Sequence, residues 1–206
     1  MRAVFARFFS LSRLPERVGQ KARGFTAIEL LATVAIAAIL LTVAAPSFVN
    51  MRRNSELVSA TNVLVAAINA ARGEAMKRGA YAYAVPADGD HWFSGVTVFI
   101  DKNLDQAFTP GIDEVILTLP AFPAWLAVTG TGTAAGSAPY IAYDGSGYAK
   151  TKIGGFDALT LSLARNDVSA SQAEAQTRRI IIANTGRLRT CRPDLDKKSC
   201  TAAALQ

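Results

Sequence analysis

Four groups of residues in this chain have the types and spacing to do chemistry. In Gly24-Phe25-Thr26-Ala27-Ile28-Glu29, one carboxylate opens a run in which residues 25–45 carry no other charge. In Gly186-Arg187-Leu188-Arg189, two guanidinium forks stand two residues apart. Cys191 and Cys200 are the only cysteines. Asp101, Asn103 and Asp105 have the spacing that opens a calcium-binding loop.

An acid inside an apolar helix costs about 2.5–3.5 kcal/mol at the centre of a bilayer and less near the end. The helix dipole returns part of that cost at a first-turn glutamate. Glu29 then has two readings. It is a flanking residue at the headgroup level, or it pairs with a cation on a neighbouring subunit, such as an amino terminus freed by a cut before Phe25.

The arginine pair belongs to a wider cluster. Arg178, Arg179, Arg187, Arg189, Arg192, Lys197 and Lys198 are opposed only by Asp194 and Asp196 over residues 178–198. Alternation in an extended segment would put Arg187 and Arg189 on one side, a geometry suited to successive phosphates. Such binding is independent of base sequence and sensitive to salt. The same charges also suit a solvated edge that resists strand-to-strand aggregation.

For Cys191 and Cys200 a disulfide is the default in an exported domain. A metal pair is the alternative, but one distant histidine, His91, does not complete a zinc site. In the Asp101 group, Gln106 stands where the calcium loop needs glycine, and Ile112 where it needs a bidentate acid. A polar turn between strands fits better, although Asp113 or Glu114 would complete an irregular calcium site. Any histidine-dependent catalysis must use His91. No Gly-x-Ser-x-Gly, Walker or dinucleotide-binding pattern accompanies it. The reading is a non-enzymatic protein with no cofactor.

The positioning elements follow from periodicity. Residues 25–45 are long enough, at about 1.5 Å per residue, to reach roughly 30 Å across a bilayer core. Pro46 should kink or loosen the helix. Beyond it Leu57, Ala60, Leu64, Ile68, Ala71 and Ala75 make one apolar stripe, Glu74 and Arg78 pair at i,i+4, and Gly79 ends the helix. After Gly79 the period becomes two, with strands expected at 81–85, 92–100, 115–119, 125–129, 140–143, 159–164, 178–183 and 187–191. Loops are expected at 130–136 and 166–176. Helix first and strands after predict an α+β fold, a long N-terminal helical spine packed on an antiparallel β-sheet domain.

Charge is unevenly placed. Residues 1–24 hold six basic residues against Glu16, so nearly all of the formal +6 lies there. This leader stays cytoplasmic by the positive-inside rule, and the bulk of the chain lies across the membrane.

Gly-Phe-Thr-x-Ile-Glu-Leu-Leu, after a basic leader and before an apolar run, resembles the class III signal of type IV prepilins and pseudopilins. Ala27 stands where that family has a larger aliphatic residue. The resemblance implies cleavage between Gly24 and Phe25 by a prepilin peptidase, N-methylation of Phe25, and neutralisation of an adjacent subunit's amine by Glu29. It implies a leader over 1–24, a helix over 25–79 with 25–45 in the inner membrane, and a periplasmic β-rich domain over 80–206. The spine, with Arg179-Ile-Ile-Ile and Gly186-Arg-Leu-Arg-Thr-Cys191, is similar to the FimT/FimU minor pilins and the GspH pseudopilins. Gly-Arg-x-Arg resembles the DNA-contacting motif of FimT-type minor pilins of transformable bacteria. It maps onto Gly186, Arg187 and Arg189, with Arg192, Lys197 and Lys198 nearby. The implied partners are other major and minor pilins, the peptidase, membrane lipid and double-stranded DNA. A GspH-like pseudopilin of type II secretion is the other membership that the resemblance leaves open.

Overall fold

The computed structural model describes residues 24–201. The leader residues 1–23 lie outside them. The chain divides into two compact units at Ala45 and Pro46, the place where loosening is expected. Helix α1, Ala27–Arg78, contributes to both.

The described part of the first unit is 24–45. Its helical residues begin at Ala27, two later than expected. Ile28 and Leu41 remain 72% and 65% exposed, and Leu31, Ile36 and Ile39 are exposed with them. So much apolar surface around one helix has no partner among the described residues, and burying it is the main free energy the segment has to offer. Among the described residues no single helix is both long and apolar enough to cross a membrane. Ala27–Thr42 meets that test only together with Ser47–Arg78.

In the second unit the helix buries Leu57, Leu64, Ile68, Ala71 and Ala75, with Ala60 partly covered. This is the expected stripe, and each buried Leu or Ile contributes about 1.5–3 kcal/mol. Gly79, at φ 63°, takes the left-handed turn that ends the helix.

The strands are β1 (Ala82–Pro86), β2 (Val96–Ile100), β3 (Glu114–Leu119), β4 (Leu126–Gly130), β5 (Ile141–Tyr143), β6 (Ala149–Lys150), β7 (Leu159–Arg165), β8 (Thr177–Ile182) and β9 (Leu188–Cys191). They form two antiparallel sheets rather than one. The first has order β3-β2-β1-β5-β6 and the second β4-β7-β8-β9. Val96, Val98, Ile141 and Tyr143 of the first sheet and Leu159, Leu161, Leu163, Ile180 and Ile182 of the second share one core with the helix.

The strand expected at 92–100 is shorter than its sequence suggests. Trp92–Ser94 forms a 3-10 turn instead. Trp92 is buried there and donates its indole N–H to the Ala134 carbonyl at 2.9 Å, which holds the turn against the core. Strand β6 was not expected, because two residues give no readable alternation. The loops expected at 130–136 and 166–176 contain the short 3-10 turns Gly132–Ala134 and Ala170–Gln172.

The Asp101 segment is more than a turn. The loop from Asp101 to Asp113 folds back over the outer face of the first sheet, where Phe108 lies 5.2 Å from Phe99 in a second cluster with Tyr83, Ala142 and Tyr140. Its acids cap main-chain N–H groups. Asp101 accepts from Gln106 at 2.9 Å, Asp105 from Ala107 at 2.9 Å, and Asp113 from Lys102 at 3.0 Å and Thr109 at 2.7 Å. Among the described residues no group of three His, Cys, Asp or Glu side chains gathers that could hold a metal ion.

Two networks fasten the helix to the sheets. Arg78 bridges Glu74 at 2.8 Å and Glu114 of β3 at 2.7 Å, and Lys102 joins Glu114 at 2.9 Å. Arg165 of β7 reaches Glu56 at 2.9 Å and stacks on Trp125 at 3.9 Å.

Candidate functional site

At the amino-terminal site, Thr26 and Glu29 close on each other. The Thr26 N–H and hydroxyl donate to Glu29 Oε2 at 2.9 and 2.8 Å, and the Glu29 N–H donates back to Thr26 Oγ1 at 3.3 Å. This is a capping box, and it satisfies donors that every helix start leaves open. The carboxylate thus has a partner inside the single chain before any neighbour arrives. The Thr-x-x-Glu spacing was present in the sequence but was read only for its acid. Gly24 and Phe25 precede the helix and are exposed, Phe25 at 82%.

The carboxy-terminal site is built around the turn between β8 and β9. Gly186 has φ 76°, and a Cβ on it would lie 1.9 Å from the Gly147 carbonyl oxygen. Only glycine fits both the conformation and the contact. Arg72, from the helix, clamps the two segments. It donates through Nε to the Gly147 carbonyl at 2.9 Å and through Nη2 to the Thr185 carbonyl at 3.1 Å. Nothing in a one-dimensional pattern links positions 72, 147 and 186.

The seven cations divide by environment. Arg178 is buried, donates to Asn54 Oδ1 and to the carbonyls of Ala175 and Thr177, and is held below its ordinary range by desolvation. Arg179 donates to the Cys200 carbonyl at 2.5 Å and Arg189 to the Ser199 carbonyl. These two arginines hold the closing end of the Cys191–Cys200 disulfide loop beside β8 and β9. Arg192 forms a two-pronged pair with Asp194 at 2.6 Å, and Lys197 lies 3.5 Å from Glu174. Arg187 is exposed and lies in the turn ahead of β9 rather than in the strand. The side chains of Arg187 and Lys198 have no partner among the described residues. The pair of like-facing forks expected at 187 and 189 is therefore one free fork and one fork with a carbonyl already on it.

The lone histidine sits in a turn with Asp88 and Ser94. Its Nδ1 is 3.1 Å from Asp88, whose carboxyl is held well below the usual range by the His91 and Asp90 main-chain N–H groups. The Ser94 hydroxyl donates its proton to the His91 main-chain carbonyl at 2.7 Å, not to the imidazole. The wiring of a nucleophile and its base is not present in this turn.

A helical spine packed on antiparallel sheets defines the pilin-like class of fold, and comparison with known proteins agrees. The family model described as type II transport protein GspH matches residues 60–186. That is more than half of the chain, and the chain belongs to the GspH family. The match ends at Gly186, so Arg187, Arg189 and the disulfide loop lie beyond it. Among solved structures, the crystal structure of the type IV minor pilin FimU of Pseudomonas aeruginosa is similar at 18% identity. The match covers 68% of this chain and 91% of that one, with a TM-score of 0.50. The minor pseudopilin EpsH of the Vibrio cholerae type 2 secretion system is similar at 16% identity, over 67% and 98% of the two chains, with a TM-score of 0.48. No curated protein matches in sequence.

Proposed function

We propose that this chain is a non-enzymatic minor pilin of a type IV pilus, made as a precursor in the inner membrane with its β-rich domain in the periplasm. Its leader is removed between Gly24 and Phe25, and Phe25 is N-methylated. The apolar helix then passes from lipid into a filament core of like helices, where Glu29 leaves its capping box for the amine of a neighbouring subunit. The exposed apolar surface of 24–45 supports this transfer, since both environments cover it. Other major and minor pilins are the partners, and the subunit helps to initiate or cap the filament.

We further propose that the Gly186 turn binds DNA through its phosphates. The observation that carries this reading is the exposed, partnerless guanidinium of Arg187 on a turn locked by Arg72 and Gly147. Lys198 adds a second open cation, and Arg189, Arg192 and Lys197 contribute field while engaged with the protein. A mobility-shift titration of the full chain in neutral detergent at two salt concentrations tests it. Arg187→Gln should weaken binding and lower the salt slope by about one phosphate contact. Unchanged binding would remove the DNA role.

The family model favours a second membership, a pseudopilin of type II secretion. Neighbouring genes for pilus or for secretion components separate the two. Mass spectrometry of the mature chain tests both, because each requires a methylated Phe25 at its start.

A further inference from the structure

We propose that the Arg187 turn continues across Gly147 into an aromatic platform, Tyr148 and Phe156, that stacks unpaired bases, so that the ligand is single-stranded or frayed DNA. This deepens the DNA reading and rests on it. The turn and the platform are joined through the main chain. Gly147 touches Gly186, and the Ala149 N–H donates to the Asn184 carbonyl at 3.1 Å. Tyr148 lies between these two contacts in the chain.

Both rings face water, and the main chain that carries them is hydrogen-bonded. Tyr148 is 41% and Phe156 61% exposed, and their centroids lie 5.5 Å apart, edge to face. Tyr148 exchanges main-chain hydrogen bonds with Asp144 through its carbonyl at 3.1 Å and through its N–H to the side chain at 3.0 Å. Phe156 is bridged to Lys150, whose ammonium lies 3.8 Å over the Phe156 ring. Aromatic rings have few rotatable bonds and so lose little conformational freedom on stacking.

The surrounding charge selects the occupant. Lys150 is balanced by Asp144 at 3.6 Å. Among the described residues the Arg187 side chain meets no acid, and Arg72 donates to the Gly147 and Thr185 carbonyls. The open Arg187 guanidinium, on a turn whose main chain adjoins the segment carrying two solvent-facing rings, suits a strand that offers phosphate and base together. A duplex keeps its base faces stacked inside and would engage the cations alone.

The test is a set of anisotropy titrations of the full chain in neutral detergent, with a single-stranded oligonucleotide and a blunt duplex at one salt concentration. The wild type should prefer the single strand. The double variant Tyr148→Ala, Phe156→Ala should weaken single-strand binding by about tenfold or more and leave duplex binding unchanged. Tyr148→Phe with Phe156→Tyr should restore it, which separates stacking from loss of fold. Arg187→Gln should weaken both ligands. Equal affinity of the wild type for both DNA forms, or a double variant that binds the single strand normally, overturns the platform but leaves the phosphate reading standing. Failure of the wild type to bind either form removes both. Loss of filament incorporation with DNA binding intact would assign the rings to a partner subunit and overturn the proposal.

Discussion

Glu29 illustrates how one residue can satisfy two states of a molecule. In the single chain its carboxylate closes a capping box on Thr26, so the helix starts with end groups paired. In the proposed filament the same oxygen atoms would accept from an incoming amine. Glu29→Ala should be lost from the sheared filament fraction, read by immunoblot against total cell protein, while Thr26→Ala should reduce the fraction less, since a cap is worth about 0.5–2 kcal/mol. Equal incorporation of Glu29→Ala and wild type would end the pairing role. Gly186 makes a purely structural demand. Gly186→Ala adds a strained left-handed residue, at about 1–3 kcal/mol, to a contact with the Gly147 carbonyl that has no room for it. Its melting temperature should fall by several degrees, about 2–4 °C for each kcal/mol in a chain of this size.

At the scale of elements, the helix and first sheet are tied by Arg78, Glu114 and Lys102. The Arg78 and Lys102 hydrogen bonds bring the Glu114 carboxyl down to about 2, from its ordinary value of 4.5. A lowered folded-state value means that the ion pair stabilises fully above the unfolded value and is lost as pH falls through the folded one. The melting-temperature gap between wild type and Glu114→Gln should therefore be constant above about pH 5 and close between about pH 4.5 and 2. The disulfide loop makes a second tie, held to β8 and β9 by Arg179 and Arg189. Replacing Cys191 and Cys200 by serine should cost about 2–3 kcal/mol for so short a loop, seen as a lower melting temperature that reductant no longer changes. Much of this scale was legible in the sequence. The stripe from Leu57 to Ala75 and the strands around Ile100, Leu163 and Ile182 announce themselves by spacing, because one face of each is buried. What did not show depends on contacts distant in sequence. The short β6 exists because β5 and the 184–186 turn meet it, and Trp92 leaves its strand for a hydrogen bond to Ala134. The candidate DNA site was half legible. Its cations are a composition signal, but which of them remain open depends on carbonyls and acids that only the folded chain brings near.

For the whole molecule, the two compact units have opposite surfaces. One leaves its apolar side chains uncovered, and the other buries a shared core of helix and two sheets. Under the proposed function, lipid or other subunits cover the apolar side chains described in the first unit. Extracting it with detergent should therefore keep it monodisperse, and diluting the detergent should aggregate the full chain through that segment, as light scattering would show. The Gly186 turn carries a separate lesson for engineering. Its shape is written at three places, Arg72, Gly147 and Gly186, on a helix and two loops. Transplanting the four-residue arginine motif alone into another scaffold would carry the charges without the template that presents them, and all three positions would have to travel together.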